Sequence, residues 1–452
     1  MTRRAIVTIA LTLALLIGLP DLSGSCYSTV SSAHAAARSA ARDDASAWRD
    51  PARWPVRFGR VAGDAVQGVV VELPEDRGTR VWRTISSRAA EVLEKWDPAR
   101  DGGAIGAGLD LNDIRFREVG AGGFGFVREA LEEGDRAEDP ASAAVMMFVS
   151  GREINREGGA AEAKKEIVLQ RTWFALYDPT NAPARGIAVV MPGIFGTPEA
   201  VFDRVVRHFQ TRGWVVVRMM AQPTGYTERL DVEVNPDTPG ETARMLAQVF
   251  DQRAAECAYA VEAALAWAAE KRPEVREGKR VILGGSGGAM SLPPVVARLP
   301  NAFDAAVLIA GGADYATIAA TSNYEDWVDS VHIRWNGAPG TEQQVRALSD
   351  AYLAASILDS YHTSEALHGT PVLLLQATRD KAVPAPQQEL LWERLGRPER
   401  RLLDLGHESL FISLPFRMGG IMDWIDGATA PNPAGIAPER EEPAQNARTK
   451  GS

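Results

Sequence analysis

Between about residues 165 and 427 the hydrophobic positions follow two alternating patterns. Short runs, most of them largely apolar and bounded by Gly, Pro or charged residues, read as strands: 166–177, 186–191, 214–219, 280–284, 304–310, 371–376 and the more polar 400–404. Longer stretches between them carry apolar residues at helical spacing. Val201, Phe202, Val205, Val206 and Phe209 predict a helix over about 198–212 with His208 as a surface or half-buried residue, and an Ala-rich helix follows from about Glu241 to Lys271. Strand and helix alternate as a mostly parallel, doubly wound α/β sheet with helices on both faces requires.

Candidate chemistry enters at the end of one of these strands. Arg280-Val281-Ile282-Leu283 runs straight into Gly284-Gly285-Ser286-Gly287-Gly288, then into the largely apolar stretch around Pro293-Pro294-Val295-Val296, whose prolines predict a helix start. A serine in a glycine-flanked turn from strand to helix is the pattern of a nucleophile elbow, in which only residues without Cβ let the two flanking segments pass closely. A serine hydroxyl needs a base, and the base needs an orienting acid. Asp380 lies in the loop after the strand Pro371–Gln376, and His407 follows the strand-like Arg401–Leu405. The other five of the six histidines lack a preceding strand or sit in the leader or on the 198–212 helix. Asp314, which ends the stretch after the 304–310 strand, is the alternative acid; Glu408 reads as a structural or solvent-facing neighbour. Backbone N–H groups for an oxyanion are expected from Gly287 and from the turn Pro192-Gly193-Ile194-Phe195-Gly196, with Ile194 as the donor and Phe195 as its substitute.

In this order the Pro192-Gly193 turn, Thr211-Arg212-Gly213-Trp214 before a strand, the Ser286 elbow, the Asp380 loop ending in Val383-Pro384, and Gly406-His407 resemble the α/β-hydrolase family over about residues 165–427. The family often has His-Gly at the oxyanion turn, and Pro192 stands in place of that histidine. The resemblance implies a catalytic domain over 161–427, with an inserted cap over about 311–369 that governs substrate choice. The cap's aromatics Tyr315, Tyr324, Trp327, Trp335, Tyr352 and Tyr361 either line a pocket or form the insertion's own core, and the core is the favoured reading. The implied activity is carboxylic ester hydrolysis through an acyl-enzyme, with peptide or amide cleavage as the second enzymatic reading. A catalytically silent binding protein of the cell envelope is the alternative from another class.

Composition narrows the field without choosing within it. A chain of 452 residues, 45% hydrophobic, can bury a large core and hold more than one domain. Its net charge of −10 and the absence of a Lys/Arg cluster argue against nucleic acid as a partner and leave a small-molecule ester or peptide substrate. No metal-ligand spacing is present, and no cofactor is implied. Gly120-Ala121-Gly122-Gly123-Phe124-Gly125 matches the dinucleotide fingerprint, but the Ile114–Val119 stretch before it carries Arg115, Arg117 and Glu118, where a parallel strand should be apolar on both faces. A surface turn is the better account.

Arg3-Arg4 followed by apolar Ala5 to Leu19 reads as an export signal over 1–35, with Ala33-His34-Ala35 as a small-x-small cleavage site and no membrane span in the mature chain. Export places the protein in the periplasm or outside the cell. Lipidation at Cys26, a twin-arginine route and an uncleaved anchor are the alternatives. Cleavage leaves Cys257 as the one remaining cysteine, on the long Ala-rich helix, where a buried structural role is expected. Residues 36–160 read as a small α+β extension, with a strand at 67–73 and a helix over Val81 to Glu94; 428–452 read as a disordered tail.

Overall fold

The computed structural model describes residues 46–50, 53–54, 69–72, 83–84, 117–118, 144–156 and 164–430, the last without 181–182, 195–198, 222–229, 323–330 and 337–339. The leader with Cys26, the 120–125 glycines, Phe195, and the tail beyond 430 lie outside the described residues.

The described strands are β1 (Val69–Glu72), β2 (Arg83–Thr84), β3 (Arg117–Glu118), β4 (Ala144–Arg156), β5 (Lys164–Tyr177), β6 (Gly186–Met191), β7 (Trp214–Ala221), β8 (Leu230–Val234), β9 (Lys279–Gly285), β10 (Ala305–Ile309), β11 (Val331–Trp335), β12 (Val372–Ala377) and β13 (Glu399–Leu403). The described α-helices are α1 (Glu199–Thr211), α2 (Pro239–Lys271), α3 (Gly287–Arg298), α4 (Tyr315–Thr321), α5 (Glu342–Ala355), α6 (Ser360–Thr363), α7 (Ala385–Arg394) and α8 (His407–Thr429).

Nine strands form the main sheet in the order β1-β4-β5-β7-β6-β9-β10-β12-β13. From β7 to β13 every pairing is parallel, and from β1 to β7 every pairing is antiparallel. Alternate residues of the parallel strands face opposite layers, as the pleat dictates. Ala188, Val190, Val216, Val281, Leu283, Val307 and Ile309 pack with Val201, Val205 and Phe209 of α1 and with Leu414, Met418 and Ile421 of α8. Their neighbours Ile187, Val189, Val217, Ile282, Ala306 and Leu308 pack against α2, α3 and α7. This is the doubly wound α/β fold that the periodicity predicts.

Four features depart from the sequence expectation. First, the segment read as an extension supplies strands to the main sheet: β4 pairs with β5 from Ala144↔Leu176 to Arg156↔Lys164, and β1 pairs with β4. Trp48 and Trp54 join the core as well, with Trp54 edge-on to Tyr259 of α2 at 5.9 Å between ring centroids. Second, Arg83–Thr84 is extended and pairs antiparallel with Arg117–Glu118, where a helix was expected over 81–94. Third, Pro293 and Pro294 lie in the interior of α3, not at its start. Proline there removes a helical donor. Pro294 leaves the Met290 carbonyl without its i+4 N–H, and the Tyr315 hydroxyl and Ser360 Oγ, the latter at 2.8 Å, donate to that oxygen instead. Fourth, the segment expected as an inserted cap, 311–369, packs with chain from outside it. β8, from the connection after β7, pairs in parallel with β11, from the connection after β10. Their buried faces (Val232, Val234, Ile333) share a third core with Leu246 and Phe250 of α2 and Leu348 and Tyr352 of α5. The aromatics Tyr315 and Tyr352 belong to this core, both edge-on to Phe250.

Candidate active site

β9 delivers Ser286 to the carboxyl edge of the sheet, between β6 and β10. Its backbone has φ 50° and ψ −117°, a conformation side chains rarely adopt, and its N–H donates to Ile309 O at 2.8 Å. Such strain, on the order of 1–3 kcal/mol, persists only where the surroundings enforce it. The glycines are those surroundings. A Cβ on Gly284 would stand 2.5 Å from Gly288 O, and one on Gly288 would stand 2.5 Å from Pro192 O. A Cβ on Gly285 would stand 2.7 Å from the ring of Phe411. Strand, helix and the 191–193 turn therefore meet backbone to backbone around the serine.

His407 is the first residue of α8, which starts right after the loop that leaves β13. Its Nε2 lies 3.0 Å from Ser286 Oγ, and its Nδ1 lies 2.7 Å from Asp380 Oδ2. Asp380 and His407 are buried, at 7% and 5% exposure, so water competes little for these contacts. The other carboxylate oxygen, Asp380 Oδ1, accepts from the N–H groups of Ala382 (2.9 Å) and Val383 (2.8 Å), which fixes its plane. The loop itself is tied to the neighbouring strand through Thr378 N–H to Leu403 O and Arg379 N–H to Leu405 O. The alternative acid, Asp314, is engaged elsewhere, with the N–H and hydroxyl of Thr317 and the hydroxyl of Ser349. His362 and His368 hydrogen-bond to Leu353 O and Arg394 O.

Gly287 opens α3, so its N–H has no acceptor within the helix. A Cβ on Gly287 would lie 3.1 Å from Ile194 N, and one on Gly193 would lie 3.3 Å from Ser286 Cβ. The two expected oxyanion donors thus sit side by side at the serine.

Behind the elbow lies a buried polar network with no motif to announce it in the sequence. Asp359 accepts from the N–H groups of Asp314 and Tyr315 at 2.9 Å each, from Tyr361 N–H at 2.7 Å and from the Tyr352 hydroxyl at 2.9 Å. Asp251 accepts from Ser356 Oγ (2.6 Å), Ile357 N–H (2.8 Å) and Leu358 N–H (2.9 Å). Burial pushes the Asp251 carboxyl up to about 7 and Asp314 up to about 6, with the nearby Asp359 charge adding to both. Burial likewise pushes the Cys257 thiol up to about 12, which suits the structural role expected of it. Among the described residues no group of three or more His, Cys, Asp or Glu is arranged to hold a metal ion, and no helix is long and apolar enough to cross a membrane.

Comparison with known proteins places these observations in a family context. A model described as the prolyl oligopeptidase family matches residues 250–406, a span that includes Ser286 and Asp380 and ends just before His407. No curated protein sequence matches the chain. Similar solved structures include a cold-adapted esterase from an Arctic intertidal metagenomic library, 14% identical, covering 63% of this chain and 95% of its own, with a TM-score of 0.35. Est1E from Butyrivibrio proteoclasticus is 14% identical, covering 61% of this chain and 98% of its own, with a TM-score of 0.37. The acylaminoacyl peptidase of Pyrococcus horikoshii is 13% identical and covers 64% of this chain but 46% of its own, with a TM-score of 0.38.

Proposed function

We propose that this chain is a serine hydrolase of the α/β-hydrolase type, that Ser286, His407 and Asp380 are its catalytic triad, and that it cleaves carboxylic esters through an acyl-enzyme. The observation that carries this reading is the continuous hydrogen-bonded chain Asp380–His407–Ser286, at 2.7 and 3.0 Å, ending on a serine held at φ 50°. In the proposed sequence His407 Nε2 takes the Ser286 proton as Oγ attacks the carbonyl carbon. The N–H groups of Gly287 and Ile194 receive the oxyanion. Collapse expels the alcohol with the proton from His407. Water then enters by the same route in reverse and releases the acid. Asp380 accepts from Nδ1–H throughout and holds the ring in the tautomer that leaves Nε2 free.

Amide or peptide cleavage is the second reading, favoured by the prolyl oligopeptidase match over 250–406. The same residues serve both, since only the leaving group differs. We further propose that the protein is exported, on the strength of the Arg3-Arg4 and Ala5 to Leu19 pattern.

Fluorophosphonate labelling of the folded protein, with Ser286→Ala beside it, tests the triad. Labelling at Ser286 that vanishes in the variant is the expected result; a folded wild type that stays unlabelled overturns the reading. Turnover of p-nitrophenyl esters against aminoacyl p-nitroanilides then decides between ester and amide. Amino-terminal sequencing of the protein recovered from fractionated expressing cells tests export, and an intact Met1 on protein in the cytoplasmic fraction sinks it.

A further inference from the structure

The loop that carries Asp380 leaves β12 at Ala377 and enters α7 at Pro384, and one buried side chain joins its two ends. Gln388 of α7 is 3% exposed. Its Nε2 donates to Val383 O at 2.7 Å and to Ala377 O at 3.3 Å. A primary amide nitrogen has two hydrogens, so one donor group meets both acceptors with nothing left over. Ala377 O also accepts from the N–H of Asp380 at 3.3 Å, so the clamp and the acid's own backbone share one acceptor. Val383 precedes a proline that caps α7, and Ala377 is the last residue of β12. The backbone oxygen of Gln388 in turn accepts from Gln376 Nε2 at 2.9 Å, which ties the first turn of α7 to the end of the strand.

Val383 links this clamp to the acid. Its N–H donates to Asp380 Oδ1 while its C=O accepts from Gln388, so the position of one residue sets both bonds. We propose that Gln388 is a positioning residue for catalysis: by closing the 377–383 loop it holds Asp380 at the distance from His407 that keeps the imidazole aimed at Ser286. The inference depends on the triad reading above and deepens it. Gln388 touches no substrate; it acts through Asp380. Loss of its amide would strip Val383 O of this donor and leave Ala377 O with the N–H of Asp380 alone, and the loop would relax toward water or other donors. A displacement of the acid by about 1 Å is enough to cost up to roughly 100-fold in rate.

The test uses the full chain and the second-order rate constant for inactivation by a fluorophosphonate, together with kcat and KM for p-nitrophenyl acetate. Gln388→Met keeps the shape and removes both donors; Gln388→Glu keeps the length and donates one hydrogen only while protonated. The expected result is a fall of about 10- to 100-fold in the inactivation rate and in kcat for Gln388→Met. KM should change little, and the thermal midpoint should fall by only the few degrees that an unsatisfied buried carbonyl costs. Gln388→Glu should approach wild type at low pH, and its ratio to wild type should fall as pH rises and the carboxyl ionises. A folded Gln388→Met that reacts at the wild-type rate overturns the proposal, as does a Gln388→Glu ratio that is flat across pH, and the latter comparison stands even where Gln388→Met does not fold. A wild type that fails to react while Ser286→Ala is equally inert overturns the triad reading itself, which separates that failure from this one.

Discussion

At the scale of single residues, the site depends on atoms that are absent as much as on those present. Gly288 has room for a hydrogen only, since a methyl would press on Pro192 O and Met191 O at 2.5 and 2.6 Å. Gly288→Ala must therefore move the 191–193 turn away from Ser286. Overpacking of this kind costs about 1–3 kcal/mol. We expect a lower unfolding midpoint together with loss of fluorophosphonate reactivity, and a variant of wild-type reactivity would show that the turn is free to shift. Asp380→Asn is the sharper chemical test. An amide can present N–H to the ring and favour the wrong tautomer, so kcat should fall by about 10⁴-fold with the fold intact. The placement of Ser286, Asp380 and His407 together was legible in the sequence because each stands a few residues past a strand-like run, and position relative to a strand is something periodicity records. Gln388 was not legible: on a short helix it looks like any surface glutamine, and its value comes from two carbonyls that only the folded chain brings to it.

At the scale of elements, α3 shows how a rule read from sequence holds locally and fails in context. Proline does break the helical ladder at the Met290 carbonyl, but the helix continues because Tyr315 and Ser360 supply the missing donors from outside it. Those two residues come from the connection after β10, which sequence periodicity could not place beside α3. The arrangement predicts strong coupling between the two hydroxyls. Tyr315→Phe or Ser360→Ala alone leaves one donor and should cost about 1 kcal/mol. The double variant leaves the buried carbonyl bare and should cost about 1–3 kcal/mol beyond the sum. Chemical denaturation of the four proteins forms the cycle, and simple additivity would mean that water replaces the lost hydroxyls. The strands β8 and β11 were missed for a related reason. Leu230–Val234 and Val331–Trp335 alternate apolar with charged residues over only five positions each, so they look like loops until they pair with each other.

At the scale of the whole molecule, α2 joins two of the three cores, beginning in the one it shares with β8 and β11 at Leu246 and Phe250 and ending under the sheet with Ala264 and Ala268. Asp251 sits at that junction, holding Ser356, Ile357 and Leu358 to the helix. Its folded-state value of about 7 lies above the ordinary 3.8, so between these limits the folded chain binds more protons than the unfolded one. This contribution is therefore full below about pH 4 and is lost as pH rises toward about 7. Asp251→Asn should be less stable overall, because an amide cannot satisfy all three donors, and its unfolding midpoint should decline less steeply across that window. An unchanged slope would mean that Asp251 remains ionised. The parallel pair β8·β11 carries a different consequence, for exchange of parts between related proteins. Because each strand comes from a separate connection, and α2, β9, α3 and β10 lie between them in the chain, the cap is not a cassette. Grafting 311–369 onto another scaffold would transfer β11 without its partner, and a recipient could acquire the cap only by replacing both connections at once.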